Sequence, residues 1–196
     1  MRVAAIILAA GSSSRMGQSK QMLKLDGEYL LTRTARTILN AGVTSPVVVL
    51  GANEQAHRKL LKGLDVTIIF NAHWAKGMGS SLKAGLEYLG STDSLPDVAI
   101  ISVCDQPLLS AKNISNLLKK YQETGKPIVA SRYSGKPGVP ALFDRSCFSK
   151  LQALGDGQGA KTLMLQNPDD VAVVEFPGGE VDLDTMEEYK KFVNRE

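Results

Sequence analysis

A loop of small and polar residues, directly after the first predicted strand, could bind phosphate. Residues 8–20 read LAAGSSSRMGQSK and include Arg15 and Lys20. Backbone N–H groups of a Gly/Ser turn can surround phosphate oxygens, and two cations would balance the charge of a triphosphate. The spacing matches neither the Walker A loop nor the Gly-x-Gly-x-x-Gly fingerprint. On spacing alone, a flexible polar turn carrying two solvated cations is an equal alternative.

Three aspartates could hold a hard cation such as Mg²⁺. Asp105 directly follows the predicted strand Val98–Val103, and ligands of open parallel sheets bind at the carboxyl ends of strands. Asp182 and Asp184 alternate with apolar residues, so in an extended segment both side chains face the same way. The alternatives are a turn aspartate at position 105, and a helix cap or a solvated edge around Thr185.

Other chemically active residues have weaker patterns. The segment NAHWAKGMGSS, residues 71–81, opens a predicted helix and could receive a base or ribose. Its Trp74 fits packing better than stacking on a ligand. His57 is predicted to lie on a solvated helix face. Cys104 has no histidine near it in sequence and is predicted to be an inert buried thiol rather than a nucleophile.

Alternating strands and helices must position these side chains. Nearly continuous apolar runs are typical of strands buried on both faces of a parallel sheet. Strands are predicted at Val3–Leu8, Pro46–Leu50, Val66–Phe70, Val98–Val103, Ile128–Ala130 and Val171–Val174. Helices are predicted at Leu30–Ala41, Glu54–Lys62, Ser81–Leu89, Lys112–Glu123 and Thr185–Asn194. This order predicts a three-layer α/β/α Rossmann-like fold with a mostly parallel sheet, as a single domain over residues 1–196. The Pro- and Gly-rich segment Tyr133–Gly159 is predicted to be a loop-rich insertion that forms a binding surface.

The composition excludes several other classes of protein. The chain has 196 residues, 43% of them hydrophobic, and 23 Lys and Arg against 20 Asp and Glu, for a net charge of +3. This balance is too mild to indicate nucleic-acid or membrane binding. No apolar run approaches the roughly 18 residues of a membrane span, and the apolar N-terminus continues into the polar loop as a buried strand would. The 2 cysteines fit a reducing cytoplasm, which is the predicted location.

Five blocks of the sequence together resemble the molybdenum-cofactor nucleotidyltransferases. In chain order they are LAAGSSSRMGQSKQML, NAHWAKGMGSSLKAGL, CDQPLLS, GKPGVPALF and VDLDTMEEY. The resemblance implies the three-layer nucleotidyltransferase fold of the nucleotide-diphospho-sugar transferase type. Ala10 stands where the guanylyltransferase branch has a glycine, which favours the cytidylyltransferase branch and CTP. The family block G-D-x-G-A-R is one residue longer here and ends in Lys161.

The resemblance also implies a reaction and a set of roles. CMP would pass from CTP to the phosphate of molybdopterin or molybdenum cofactor, with Mg²⁺ bound and pyrophosphate released. Arg15, Lys20 and Asp105 would be catalytic, and Asp105 would also hold the metal ion, with either Asp182 or Asp184 as its second ligand. Nucleotide contacts would come from Leu8, Ala9, Ala10, Gly11, Ser12, Ser13, Asn71, Gly77, Gly79, Ser80 and Ser81. Acceptor contacts would come from Lys136, Pro140 and Lys161. A molybdenum hydroxylase apo-enzyme is a further implied partner.

Three alternatives remain open at the level of sequence. The first is a related enzyme of the same architecture that uses GTP or activates a sugar phosphate. The second is a non-catalytic chaperone that binds the cofactor for a molybdenum hydroxylase. The third, an NAD-linked oxidoreductase, is disfavoured because the dinucleotide glycine spacing and its acidic ribose partner are missing.

Overall fold

Within residues 1–13 and 16–194, which the computed structural model describes, the centre of the molecule is a seven-stranded sheet. Its strands are β1 (Val3–Ala9), β4 (Val47–Leu50), β5 (Thr67–Phe70), β6 (Val98–Val103), β7 (Ile128–Tyr133), β8 (Lys136–Asp144) and β9 (Val171–Glu175). A small separate ribbon pairs β2 (Lys24–Leu25) with β3 (Glu28–Tyr29). The strand order is β5-β4-β1-β6-β8-β7-β9, and β8 runs antiparallel to both of its neighbours. The predicted mostly parallel sheet is therefore confirmed.

Helices cover both faces of this sheet. They are α1 (Leu30–Asn40), α2 (Glu54–Leu60), α3 (Met78–Gly90), α4 (Ala111–Thr124), α5 (Phe148–Gln152), α6 (Ala160–Gln166) and α7 (Met186–Val193). Each predicted helix is present, and its ends lie within a few residues of the prediction. Ser110 begins α4 by accepting the N–H of Asn113, as its position in the sequence predicts. None of the helices in the described ranges has the length and apolar composition that a membrane crossing needs.

The apolar core has two layers, one on each face of the sheet. Ile6 and Leu8 of β1 pack with the layer that contains Leu82 of α3, together with residues of α5 and α6. Ile7, between them, packs with the opposite layer, which contains Ile38 of α1 and residues of α4. Alternate side chains of one strand therefore reach both layers, which is the reason for the continuous apolar run.

The prediction of a loop-rich insertion at Tyr133–Gly159 is wrong. Most of its first half is β8, a strand inside the sheet, and α5 follows it. The prolines favoured a loop because a proline cannot donate a ladder hydrogen bond in a central strand. A change of register opposite Ala130 and Ser131 places Pro140 outside the regular ladder, whereas Pro137 lies opposite Arg132. At this bulge the Ser131 hydroxyl donates to the Pro140 carbonyl at 2.6 Å.

A third, smaller apolar cluster lies at one edge of the molecule. Leu183 is only 1% exposed and packs with Met16, Leu23 and Leu25, while Phe192 of α7 packs against the same cluster. This packing holds the segment before α7 against the residues that follow β1. It therefore brings two parts of the chain together that are about 160 residues apart in sequence.

Candidate active site

Lys20 lies among three aspartates at the carboxyl end of the sheet. Its Nζ atom is 3.1 Å from Oδ2 of Asp105 and 3.3 Å from Oδ1 of Asp182, and it also pairs with Asp184. One carboxylate oxygen from each aspartate lies within 4.8 Å of the others. We call these four residues the acidic cluster. The structure thus brings the polar loop after β1 and the three aspartates to one place.

Leu183 positions two of these aspartates. Because it is buried in the small apolar cluster, its neighbours Asp182 and Asp184 both face away from that cluster and toward Lys20. Thr185, next in sequence, accepts the N–H of Glu188 and begins α7, while the Glu188 side chain bonds back to the Thr185 N–H. The helix cap and the shared carboxylate face, alternatives in the sequence, are both present.

The charges of the acidic cluster act strongly on each other. Partial burial, followed by the charge of Asp105, raises the pKa of Asp182 to about 6. Burial works against the charged form of Lys20, but its attraction to the three carboxylates outweighs burial and raises the pKa of the ammonium. Three carboxylates this close repel each other, and a cation that pairs with all of them, as the Lys20 ammonium does, relieves that repulsion. The cluster is therefore suited to bind a cation.

A pocket of about 390 Å³ opens between the ends of β1 and β6, next to this cluster. Its volume is in the range of small-ligand sites. The lining includes the end of β1, the loop of residues 10–13 that follows it (the β1 loop), and both Lys20 and Asp105. Of the predicted nucleotide contacts, the pocket is lined by Leu8, Ala9, Ala10, Gly11, Ser12, Ser13, Gly77 and Ser81. Arg15, predicted to be catalytic, lies outside the described residues.

Asn71 and Ser80 do not line the pocket, but Asn71 bonds to Ser81, which does. The Asn71 amide is buried and donates to the hydroxyls of Ser80, at 2.9 Å, and Ser81, at 3.0 Å. Its oxygen accepts the N–H of His73. Asn71 therefore joins the end of β5 to the first turn of α3, and Ser81 is the member of this group that reaches the pocket.

Backbone from another part of the chain accepts hydrogen bonds from the N-terminus of α3. The N–H groups of Gly79 and Ser80 donate to the Asp156 carbonyl oxygen, at 2.8 and 3.3 Å. These donors, which the sequence analysis assigned to a base or ribose, are therefore engaged with the loop before α6. A Cβ atom on Gly79 would lie 2.6 Å from the Gln158 carbonyl oxygen and closer still to that of Gly155. Glycine is required at position 79 because another part of the backbone passes against it.

We expect Gly79→Ala to lower the free energy of unfolding by roughly 1–3 kcal/mol, because the added methyl must displace backbone. Gly90→Ala is the matched control: it ends the same helix, and nothing lies within 4 Å of its Cβ position. That control should be neutral or slightly stabilising. Urea denaturation of both variants measures the difference, and equal midpoints would contradict the packing role of Gly79.

The predicted acceptor contacts lie outside the pocket lining. Lys136 is the exposed first residue of β8, whereas Pro140 is buried within that strand. Lys161 is exposed on the first turn of α6, two residues after Gly159. A Cβ atom on Gly159 would lie 3.0 Å from Sδ of Met78, a pocket residue. The pocket lining therefore includes none of the three predicted acceptor contacts.

Cys104 lines the pocket but is not activated. It is buried, and burial raises the pKa of its thiol well above the ordinary value. The thiol therefore stays protonated at neutral pH, as the sequence analysis expects. Trp74 is half-buried, with its Cβ against Gly51, and it also lines the pocket.

Two buried glutamines donate to backbone carbonyls, and neither is among the predicted site residues. The Gln21 amide, 3% exposed, donates to the carbonyls of Ala9, at 2.9 Å, and Gly11, at 3.1 Å. The Gln106 amide donates to the carbonyls of Val139, in the β8 bulge, and Gly179, both at 2.9 Å. Their places in the sequence could have identified them, since one directly follows Lys20 and the other directly follows Asp105. An uncharged amide next to a candidate catalytic residue can fix the backbone of that residue.

The prediction that His57 is solvated is wrong. Its side chain is fully buried, and its Nε2 atom lies 2.6 Å from the Ser19 hydroxyl. Most residues of α2 are polar or charged, so the helix pattern indicates an exposed face. The residues before Lys20 cover that face, and such long-range packing leaves no mark on local periodicity.

Comparisons with known proteins give a consistent picture. Residues 5–171 match the family model described as the MobA-like NTP transferase domain. The chain is 30% identical to the nicotine blue oxidoreductase of Paenarthrobacter nicotinovorans, over 95% of this chain and 94% of that protein. It is also 30% identical to the purine catabolism protein PucB of Bacillus subtilis, over 94% and 92% of the two chains. The molybdenum cofactor cytidylyltransferase of Escherichia coli is 25% identical, with the same two coverages.

Solved structures share the fold. A nucleotidyl transferase from Methanothermobacter superposes with a TM-score of 0.82 at 22% identity, over 98% of this chain and 96% of that chain. A mycobacterial protein from strain JC1 superposes with a TM-score of 0.83 at 25% identity, over 99% and 96% of the two chains. Both likenesses extend over nearly the whole chain. The three-layer fold predicted from the sequence is thereby confirmed.

Proposed function

The chain belongs to the family of MobA-like NTP transferase domains, and we propose that it transfers CMP from CTP to the phosphate of molybdopterin or molybdenum cofactor. The observation that carries the proposal is that Lys20, Asp105, Asp184 and the β1 loop line one pocket, with Asp182 in the same acidic cluster. A nucleotidyl transfer needs both halves of this arrangement. Cations and N–H groups bind the polyphosphate, and carboxylates bind the cation that accompanies it.

The proposed reaction is a displacement at phosphorus. An oxygen of the acceptor phosphate attacks the α-phosphorus of the nucleotide, the bond to the bridging oxygen breaks, and pyrophosphate leaves with the negative charge. Such a step depends on positioning and charge neutralisation rather than on a covalent intermediate with the protein. The backbone N–H groups of Gly11, Ser12 and Ser13 orient the triphosphate, and the Lys20 ammonium neutralises charge that develops on it.

The acidic cluster fits Mg²⁺. Asp105, Asp182 and Asp184 offer three carboxylate oxygens within 4.8 Å of one another, and the cluster already encloses one cation, the Lys20 ammonium. These aspartates would hold the ion, which would supply positive charge to the phosphate oxygens. Lys20 pairs with all three carboxylates, and Leu183 fixes the two that come from the segment before α7.

Cation binding should weaken in acid because Asp182 must lose its proton to act as a ligand. With the pKa of Asp182 at about 6, the carboxylate is charged above that pH and protonated below it. We expect the affinity for Mn²⁺, a spectroscopic substitute for Mg²⁺, to be about tenfold lower near pH 5 than near pH 7. Titrations followed by electron paramagnetic resonance measure this change. Asp182→Asn should bind more weakly and lose most of the pH dependence; an unchanged slope in that variant would assign the proton to another group.

The choice of CTP rests on Ala10 and on the relative named molybdenum cofactor cytidylyltransferase. A screen of CTP, GTP, ATP and UTP for pyrophosphate release, with and without molybdopterin, tests it. Release with CTP and molybdopterin together is the expected result. Activity with GTP alone would overturn the assignment of the base, and stoichiometric binding without pyrophosphate would indicate a chaperone.

The relative named an oxidoreductase supports a second candidate. An enzyme of that class would oxidise or reduce a small molecule with the same pocket. Against it, the β1 loop lacks the glycine spacing of a dinucleotide site. Adding NAD(P)H and an oxidised dye to the screen separates the two candidates, because dinucleotide oxidation without pyrophosphate release is incompatible with the nucleotidyltransferase proposal.

A further inference from the structure

His57 is a buried polar side chain that the proposed reaction does not use. It is fully buried in α2, and its Nε2 atom lies 2.6 Å from the Ser19 hydroxyl oxygen. Its Nδ1 atom is also buried and has no hydrogen-bond partner among the residues that the structure describes. Burying an imidazole with one unpartnered nitrogen costs free energy, so such a group calls for an explanation. The hydrogen bond of the other nitrogen, Nε2, supplies one.

The hydrogen bonds around Ser19 settle which atoms donate. The Gln21 amide nitrogen donates to two backbone carbonyls, which can only accept, so its Oε1 atom must be an acceptor. Ser19 lies 2.5 Å from that oxygen and must donate its one hydroxyl proton to it. The Ser19 oxygen then accepts, so His57 must donate from Nε2. A neutral imidazole protonated at Nε2 leaves Nδ1 without a proton, which agrees with the absence of an acceptor beside Nδ1 among the described residues.

This chain of hydrogen bonds ends at the pocket. Gln21 lines the pocket and joins the carbonyl of Ala9, at the end of β1, to that of Gly11, in the β1 loop. Ser13 belongs to the same loop and has a φ of +54°, in the left-handed region. Its hydroxyl accepts the Lys20 N–H at 3.0 Å and donates to Gln21 Oε1 at 3.4 Å. The amide nitrogen of Gln21 is thus bonded to Ala9 and Gly11, and its Oε1 atom accepts from Ser13 and Ser19. The donors to Oε1 therefore decide which way the amide group is turned.

We propose that His57 is a positioning residue that sets the shape of the β1 loop through Ser19 and Gln21. His57 donates to Ser19, which directs the hydroxyl proton of Ser19 toward Gln21 Oε1. That bond keeps the amide nitrogen of Gln21 aimed at the carbonyls of Ala9 and Gly11. The carbonyls in turn fix the peptide planes of the loop, and with them the N–H groups that face the pocket. The kinetic consequence rests on the proposed function, whereas the effect on the loop does not.

The first test compares two variants of His57 with a control on the same helix. His57→Leu removes the donor, His57→Gln keeps an N–H near the end of the side chain, and Gln55→Ala changes an exposed neighbour. With the triphosphate that the wild type uses, we expect His57→Leu to raise KM about tenfold and to change kcat by less than about threefold, because ground-state binding is lost. His57→Gln should recover most of the loss. Equal KM values for His57→Leu and Gln55→Ala would overturn the proposal.

The second test needs no activity. Nitrogen NMR of the histidine rings should show His57 neutral, with its proton on Nε2, and amide hydrogen exchange of residues 11–13 should be faster in His57→Leu than in His57→Gln or Gln55→Ala. If the wild type neither binds nor turns over a triphosphate, the proposed function fails while this measurement still decides the role of His57. Should His57→Leu not fold, Ser19→Ala takes its place and should show the same faster exchange. Wild-type exchange in the β1 loop of the folded variant, or a His57 proton on Nδ1, would overturn the proposal.

Discussion

Asp105→Asn is expected to lower turnover by about 10² or more while leaving the fold intact. The substitution keeps the size and shape of the side chain but removes one of the three carboxylates that surround Lys20. Asp105 lies two residues after the end of β6. Because β6 is in the middle of the sheet, the strand fixes the position of Asp105. With the charge gone, both Mn²⁺ binding and pyrophosphate release should fall together.

Asp97→Asn is the matched control for this prediction. Asp97 lies at the other end of β6, where it accepts the Arg2 N–H and pairs with Arg145. The same chemical change there should leave the rate of pyrophosphate release within about twofold of wild type, because the residue lies outside the pocket lining. Near-normal turnover of Asp105→Asn would remove this carboxylate from the proposed mechanism.

Lys20→Met is expected to change two measurements in opposite directions. Turnover should fall by about 10²–10³, since the ammonium that would neutralise the triphosphate is lost. Binding of Mn²⁺ to the free protein should become tighter, because the Lys20 ammonium, which pairs with all three carboxylates, would no longer compete with the ion. Asp105→Asn should weaken both measurements, so the pair of variants separates the role of a ligand from that of a competing cation.

Lys191→Met serves as the control for loss of a lysine. Lys191 lies on α7 and pairs at 2.7 Å with Glu187, and both side chains are exposed. Such a surface pair contributes little, so turnover and Mn²⁺ binding should both stay near wild type. Weaker Mn²⁺ binding by Lys20→Met would mean that the ammonium organises the carboxylates more than it competes with the ion.

Local pattern was enough to predict most of the fold. The apolar runs of β1, β4 and β6 are continuous because helices cover both faces of the sheet, and that pattern is written in consecutive residues. The prediction failed at β8, where Pro137 and Pro140 resemble a loop. The Ser131 and Gln106 side chains satisfy carbonyls of that irregular strand, and Gln106 lies about 30 residues before it in sequence.

The acidic cluster could be anticipated only in part. The rule that ligands bind at the carboxyl ends of parallel strands selects Asp105 and the loop after β1. This rule does not apply to Asp182 and Asp184, because their position depends on the burial of Leu183 against Met16 and Leu23. The glycines of the α3 N-terminus were recognised as special. The reason, close passage of the backbone at Asp156, came from an unrelated part of the chain.

The amino-acid sequence therefore specified the layers of this protein, the edge of the sheet where the candidate site lies and the residue types available there. These properties follow from periodicity and from the handedness of strand connections, which act over neighbouring residues. Contacts among distant segments specified the rest: the meeting of Lys20 with three aspartates, and the burial of His57 behind Ser19. Such contacts form when whole elements pack, and the free energy that selects them is shared by all the residues of the interface rather than encoded at one position.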